Sequence, residues 1–324
     1  MALRVSAVVA CLALILALHP ARPQAAENAP AHVAIAYQPG LGYAPLLIIK
    51  QNKWIEKGFP GTTVEWRELS NGATIRDGII SNTLQVGVVG TAPWLVGWAR
   101  GVPWKLLACA SNMDMWLNVM DPNIKSLKDL KPGDQIALPA PDSIQAFALR
   151  KGAQELLGNP HALDTNMVAM PHPLGLQALL SHQAVGHLTS PPFEFEEIDR
   201  GAHTIFNTHD VMGDTCFTAV TMPTAFASQY PDFTAKLLGY VQQADKMIKS
   251  SPAEAAKYIA EAETKPELAA QYKAWLAHPG IAYTVTPSGF LKYATFMKQI
   301  GSIDKAPADI KELELPALQP LGGS

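Results

Sequence analysis

Apolar and polar residues fall in blocks, not singly, along the first hundred positions. Three times a short apolar run, long enough for a buried strand, ends in a turn of small and polar residues that feeds a helix. Residues 33–37 are followed by Gln38-Pro39-Gly40-Leu41-Gly42-Tyr43, residues 63–69 by Ser70-Asn71-Gly72-Ala73-Thr74, and residues 84–89 by Gly90-Thr91-Ala92-Pro93. Strands of this kind, each feeding a helix, suit a parallel sheet. Each turn leaves free backbone N–H groups at a helix start, where partial positive charge gathers. Three such ends at one edge of a sheet predict a pocket for a small polar or anionic ligand.

The pattern continues with a helix over 94–100 and a strand over 104–109. A polar break, Ser111-Asn112-Met113-Asp114, precedes a further apolar run over 115–120. A short helix and turn at 124–134 leads to a strand over 135–138. A fourth turn, Pro139-Ala140-Pro141-Asp142-Ser143, then opens an amphipathic helix over 144–157. A strand at 167–170, a helix at 173–181 and a strand at 184–188 end in Thr189-Ser190-Pro191-Pro192, ahead of Phe193 and Phe195. After a strand over 215–221 the chain reads as almost wholly helical: 224–229, 233–250, 252–263, 266–276 and 287–300. Proline stands at or near several of these starts, where its missing N–H costs nothing. The tail from Pro307 carries Pro316, Pro320, Gly322 and Gly323, so its last residues are expected to be loose.

A length of 324 residues exceeds a comfortable single core and predicts two lobes. With 48% hydrophobic and only 16% charged residues, the chain should fold compactly as an α/β protein. Its start, Met1-Ala2-Leu3-Arg4 before an apolar stretch to Leu18 and then Pro20, Pro23, Ala25 and Ala26, predicts a cleaved export signal over residues 1–26. That apolar stretch is too short to cross a bilayer, and Cys11 within it lies in a poor context for a lipid anchor. Losing Arg4 and Arg22 with the signal moves the formal charge from −3 to −5. No basic nucleic-acid face and no later membrane span is evident. Cys109 and Cys216 remain. Two buried free thiols is the default expectation, and a bridge between them is the alternative in an oxidising compartment.

The order of strand, Gln38-Pro39-Gly40 turn and helix ending Lys50-Gln51-Asn52-Lys53-Trp54-Ile55-Glu56-Lys57, then Val64-Glu65-Trp66-Arg67, resembles periplasmic binding proteins of the taurine, alkanesulfonate and nitrate uptake family. The resemblance continues through Leu69-Ser70-Asn71-Gly72-Ala73, Val86 to Pro93, Ser126-Leu127-Lys128-Asp129-Leu130 and Thr189-Ser190-Pro191-Pro192. It implies a two-lobed α/β receptor of type II, each lobe a sheet flanked by helices, with two interlobe crossings near 115–120 and 215–222. Lobe one is then residues 27–116 plus 220–324, and lobe two residues 117–219. It further implies a periplasmic monomer without cofactor or metal, one that hands a small molecule to an ABC permease and its ATPase.

By position in the family pattern, the pocket wall from the first turn is Gln38, Gly40, Leu41 and Tyr43. Asn71, Gly72 and Ala73 form the second wall, and Gly90, Thr91 and Ala92 the third. From lobe two come Asp142, Ser143 and Gln145, with Asp142 best explained as a helix cap. Pro191, Phe193 and Cys216 complete the far side. Trp116 is a ligand platform or core, as is Trp94, and burial habits favour core for both. No Lys or Arg lies in these turns, so an anion must rely on helix N-termini and hydroxyls, with apolar contact supplying the rest. Tyr43, Trp116 and Phe193 suggest an aromatic or bulky organic group. The acidic residue that suits the amine of taurine is matched here by Cys216, which disfavours taurine.

Other classes are weaker. Pyrimidine-precursor synthases of thiamine biosynthesis share the architecture but carry neighbouring cysteines, whereas Cys216 is isolated here. The histidines His172, His182, His187, His203 and His209 are scattered, and surface or loop positions are the default. Glu194, Glu196, Glu197, Asp199 and Asp210 near His203 and His209 fit an exposed acidic helix better than a metal site. A sensory receptor would use the same cleft as a transport receptor.

Overall fold

The structure is a computed structural model that describes residues 29–324; the expected export signal lies outside them. Two sheets organise the chain. The first contains β1 (His32–Tyr37), β2 (Thr63–Glu68), β3 (Val86–Gly90), β4 (Trp104–Met113), β10 (Cys216–Pro223) and β11 (Ile281–Ala282), in the order β11-β4-β10-β3-β1-β2. The second contains β5 (Trp116–Val119), β6 (Ile136–Leu138), β7 (Met167–Ala169), β8 (Gly186–Thr189) and β9 (His203–Asn207), in the order β7-β6-β8-β5-β9.

β1 pairs in parallel with β2 and β3, and β1 and β3 are buried almost throughout. β2, expected to be buried, is a part-exposed edge strand, because Glu65, Arg67 and Glu68 keep it at the surface. The sheet is nevertheless mixed, because β10 returns antiparallel between β3 and β4. In the second sheet β6 runs parallel to β7 and β8, and β5 antiparallel to β8 and β9.

β4 extends through the polar break expected after Cys109. It does so because Ser111 has internal partners: its hydroxyl donates to the Gly42 carbonyl at 3.0 Å and pairs with the Thr218 hydroxyl at 3.0 Å. A buried polar residue with such partners no longer opposes a strand. The strand β9 and the two-residue β11 were not expected; both are short edge strands with little apolar signal.

The chain leaves the first sheet after Met113 and enters the second at Trp116, then returns between Asn207 and Cys216. Trp116 therefore belongs to the second sheet, and residues 216–219, expected in lobe two, run in the first. The two cysteines meet here: Cys109 and Cys216 are disulfide-bonded across β4 and β10, with Cα atoms 5.9 Å apart, which overturns the expectation of free thiols.

The first sheet carries the larger core. Trp94 stacks on Trp104 at 5.8 Å, Phe290 meets Trp94 edge-on, and the Trp94 indole donates to the Thr221 hydroxyl at 2.9 Å. Trp94 is thus a core residue. The second sheet has a smaller core around Leu117, Ile136, Leu138, Leu149, Leu188 and Phe206. The C-terminal tail is tied down, not loose: Leu313 and Glu314 pair with Leu106, and the Ser324 backbone bonds to Phe290 and Pro287. Among the described residues, no helix is long and apolar enough to cross a membrane.

Candidate functional site

Four helices begin around one cavity between the two sheets. From the first sheet's side come the helices Gly72–Ile80 and Thr91–Ala99, and from the second side Ile144–Leu157 and His172–Leu180. Each presents its positive end to the same space. Asn71 caps the first, its Oδ1 accepting from the Thr74 N–H at 3.0 Å, and Ser143 caps the third, accepting from the Ala146 N–H at 3.2 Å.

Eight of the expected positions line the cavity: Gln38 and Tyr43 from the first turn, Asn71 and Gly72 from the second, Gly90 from the third, and Asp142, Ser143 and Gln145 from lobe two. Sequence reasoning missed Pro93, Pro139, Ala140, Ile144, His172, Ser190 and Phe217, which complete the lining. Pro93, Pro139, Ala140, Ile144 and Ser190 sit in the quoted turns or one position beyond them. His172 and Phe217 had no such signal.

The other expected positions serve the fold. Gly40 has a φ of +120°, and a Cβ there would meet the Pro191 carbonyl oxygen at 3.1 Å; beside it the Leu41 N–H donates to that oxygen at 2.9 Å. Gly40, Leu41 and Pro191 therefore join one lobe to the other. Thr91 is fully buried, outside the cavity lining, and its hydroxyl donates to the Cys216 carbonyl. Ala92 lies in the core, Ala73 falls outside the lining, and Cys216 is committed to the disulfide. Phe193 stacks behind the cavity on His172 at 5.5 Å, and Trp116 packs against Phe195 and His278.

The two sides also meet through a charge pair. Arg76, on the helix Gly72–Ile80, donates from Nη1 to Asp142 Oδ2 at 3.0 Å, with the arginine largely buried. Asp142 is therefore an interlobe partner, and Ser143 is the cap. Among the described residues no Lys or Arg lines the cavity, whose interior offers about 20 Å³ to water, room for a water or two. A larger guest requires the two sides to part. Burial pushes the Tyr43 hydroxyl far up, against the opposing effect of Gln38, so Tyr43 stays protonated and can donate.

Behind His172 the second lobe holds a buried polar chain. His172 Nε2 lies 3.3 Å from Gln145 Nε2 and 3.5 Å from the Ser190 hydroxyl, while its Nδ1 lies 2.9 Å from the Thr189 hydroxyl and 3.2 Å from His187 Nε2. His187 Nδ1 in turn meets Glu197 Oε1, and Glu197 Oε2 accepts from Asn118 at 3.0 Å. His187 and Glu197 are fully buried, and Glu194 is nearly so. The expectations of surface histidines and an exposed acidic helix fail for these residues. The reason lies in Gly175, where a Cβ would stand 2.4 Å from His187 Nε2: the missing side chain admits the ring to the interior. Burial lowers His172, with His187 adding to the effect, and lowers His187; burial raises Glu197 against the Asn118 hydrogen bond, and raises Glu194. His203 bonds instead to the Ile124 carbonyl and His209 faces Asp214, and no group of three ligating side chains is placed for a metal among the described residues.

The NMT1-like family model matches residues 26–263, well over half the chain. The chain belongs to the NMT1-like family. No curated protein matches it in sequence. Among solved structures it is similar to the alkanesulfonate-binding protein SsuA of Xanthomonas axonopodis pv. citri bound to MOPS, with a TM-score of 0.68 and 18% identity over 91% of this chain and 99% of that one. The periplasmic aliphatic sulphonate binding protein SsuA of Escherichia coli gives a TM-score of 0.67 and 16% identity over 89% and 92% of the two chains. The periplasmic nitrate-binding protein NrtA of Synechocystis PCC 6803 gives 0.67 and 15% over 90% and 88%. At these identities the likeness establishes the fold, that of a periplasmic binding protein.

Proposed function

We propose that this chain is an extracytoplasmic solute-binding receptor that closes two lobes on a small anion, a sulfonate in the first instance, and delivers it to an ABC permease driven by a cytoplasmic ATPase. The lobes are residues 29–115 with 216–324, and residues 116–215. The observation that carries this reading is the single cavity between the sheets, lined from both sides by helix starts.

Each favourable helix terminus contributes about 0.3–2 kcal/mol toward an anion. Four of them supply a substantial part of the roughly 8 kcal/mol that corresponds to micromolar affinity. Tyr43 and Phe217 offer apolar surface for an organic tail, and Tyr43, Ser143, Gln145 and Ser190 offer donors. The disulfide suits an oxidising compartment. The similar sulfonate- and nitrate-binding proteins support the ligand class, and their periplasmic descriptions support the location. The lining favours binding over catalysis, since it presents no cysteine and its serines lack an adjacent general base other than His172, which contacts Ser190 only at 3.5 Å.

The test is a thermal-shift screen of alkanesulfonates, nitrate and aromatic carboxylates. A ligand that binds only the folded form at 100 times its Kd stabilises by about 2.7 kcal/mol and raises the midpoint by several degrees. The expected hit is a sulfonate, with the shift lost in Gln145→Ala. Shifts only with aromatic carboxylates would replace the sulfonate, and no shift at millimolar concentration would refute the receptor reading for these classes.

A further inference from the structure

We infer that Glu197, His187 and His172 form a proton relay whose proton count decides whether the cavity-facing Nε2 of His172 donates or accepts, so that an anion is held by the loaded relay and draws in one proton where the empty relay has lost it. This deepens the proposed function and rests on its reading of the cavity as an anion site.

The hydrogen bonds run in sequence from Glu197 through His187 to His172. Among the described residues, His187 Nε2 has one hydrogen-bond partner, His172 Nδ1, and His187 Nδ1 has one, Glu197 Oε1. Their polarities are therefore linked. When the relay holds its extra proton, between Glu197 and His187, the His187 Nε2–H donates to His172 Nδ1. His172 must then carry its own proton on Nε2, which points an N–H at the cavity. Without that proton, His187 gives its Nδ1–H to the Glu197 carboxylate and leaves a lone pair on Nε2. His172 then donates from Nδ1 and turns a lone pair to the cavity.

The neighbours of the relay follow either arrangement. Ser190 and Thr189 have rotatable hydroxyls, and the Gln145 amide turns over to offer its oxygen or its NH₂ to His172 Nε2. Glu197 alone, held by Asn118, sets the polarity. The remaining titratable groups around the relay are Glu194 and Glu196 on the same helix, Arg200, Lys265 and Glu263 beside Glu196, Asp114 near Glu194, and across the cavity Tyr43 and the Arg76–Asp142 pair. Neither Arg200 nor Lys265 lines the cavity, so a depleted, anionic relay disfavours an anionic guest while a loaded, neutral one offers it a donor. Burial favours the neutral forms of all three members.

Below the relay's alkaline switch the empty relay already holds its proton and none is taken up. Above it, one proton passes from solvent to the Glu197–His187 pair as the anion enters, and no other bond changes. His172 is then a specificity-determining contact that favours acceptor ligands, while His187 and Glu197 are positioning residues.

The test uses the wild-type chain and E197Q between pH 6 and 10. The glutamine donates to His187 from its NH₂ and accepts from Asn118 with its oxygen, fixing the loaded polarity at every pH. Long-range ¹H–¹⁵N spectra of the histidine rings read the protonation of His172 Nε2 without any ligand. Calorimetric titration with ethanesulfonate, in phosphate and in Tris, reads affinity and protons taken up. In the wild type, Nε2 should pass from N–H to lone pair in one alkaline titration. Ethanesulfonate affinity should fall tenfold per pH unit above it, with uptake approaching one proton per ligand. In E197Q, Nε2 should keep its proton and the affinity should not change with pH. An invariant wild-type Nε2, an unaltered pH profile in E197Q, or affinity that ignores the wild-type switch would each overturn the inference. A switch that occurs while ethanesulfonate binds at no pH upholds the relay and refutes the sulfonate reading.

Discussion

The two sides of the cavity are built from different materials. The first lobe meets it with glycine, proline and a capped helix start, backed by an apolar interior in which Trp94, Trp104 and Phe290 interlock. The second meets it with Ser143, Gln145, His172 and Ser190, backed by a buried chain of histidine and carboxyl groups over a much smaller apolar core. Both walls carry the fixed dipoles of two helix starts. The second adds groups whose charge and polarity answer to protons. A receptor assembled this way keeps one lobe as the fixed mould and tunes the guest's chemistry with the other.

The largest expected effect falls on the first lobe. Cys216→Ser opens a bridge spanning 107 residues, a segment that includes the whole second sheet, and should cost about 2–5 kcal/mol in thermal or denaturant unfolding. The same loss should appear in the wild type under reductant. In the second lobe, Gly175→Ala drives a methyl into the His187 ring and should cost about 1–3 kcal/mol, far more than the same change at an exposed helical glycine. A neutral or stabilising result would mean that His187 is not held against that helix.

The lobes should also differ in their response to pH. Glu197 is pushed up to about 8 by burial, so between its ordinary range near 4.5 and pH 8 the folded chain keeps a proton that the unfolded chain has released, and stability falls as pH rises. Asp245, pushed up to about 7, acts in the same direction up to that pH. The lowered histidines act oppositely, raising stability with pH up to about 6.5, where the unfolded chain also becomes neutral. Calorimetric midpoints should therefore decline between pH 6.5 and 8, by up to about 1.4 kcal/mol per unit for each carboxyl group. Glu194, which burial also raises, adds to the decline, so Glu197→Gln should remove only one carboxyl group's share of it; an unchanged slope would remove Glu197 as a source. At the seam, Arg76→Gln breaks a pair whose arginine is largely buried while leaving the part-exposed Asp142 open to water, and should cost about 1 kcal/mol. Its clearer signature is a more open solution shape by small-angle scattering.

The first lobe was the more legible in sequence for the same reason that it is the simpler wall. Its inner strands β1 and β3 are mostly apolar runs and its corners are glycine and asparagine turns, so patterning and turn chemistry locate both. What eluded the sequence was commitment by distant partners. Thr91 looked like a free hydroxyl, yet Cys216, more than a hundred residues on, occupies it. Asp142 looked like a cap, yet Arg76 reaches it from the other lobe. In the second lobe, Glu194, Glu197 and His187 read as solvated residues because their types favour the surface. Only the tertiary fold reveals that Gly175 and Asn118 make room and hydrogen bonds for them inside. Buried polar networks leave no periodic trace.

The central claim is that one guest is held by both walls at once, and hydrogen–deuterium exchange with saturating ethanesulfonate tests it most directly. The account predicts simultaneous added protection in residues 71–75 and 90–94 of the first lobe and in 143–147 and 172–176 of the second. Protection confined to one lobe, or to a surface groove away from these helix starts, would contradict it.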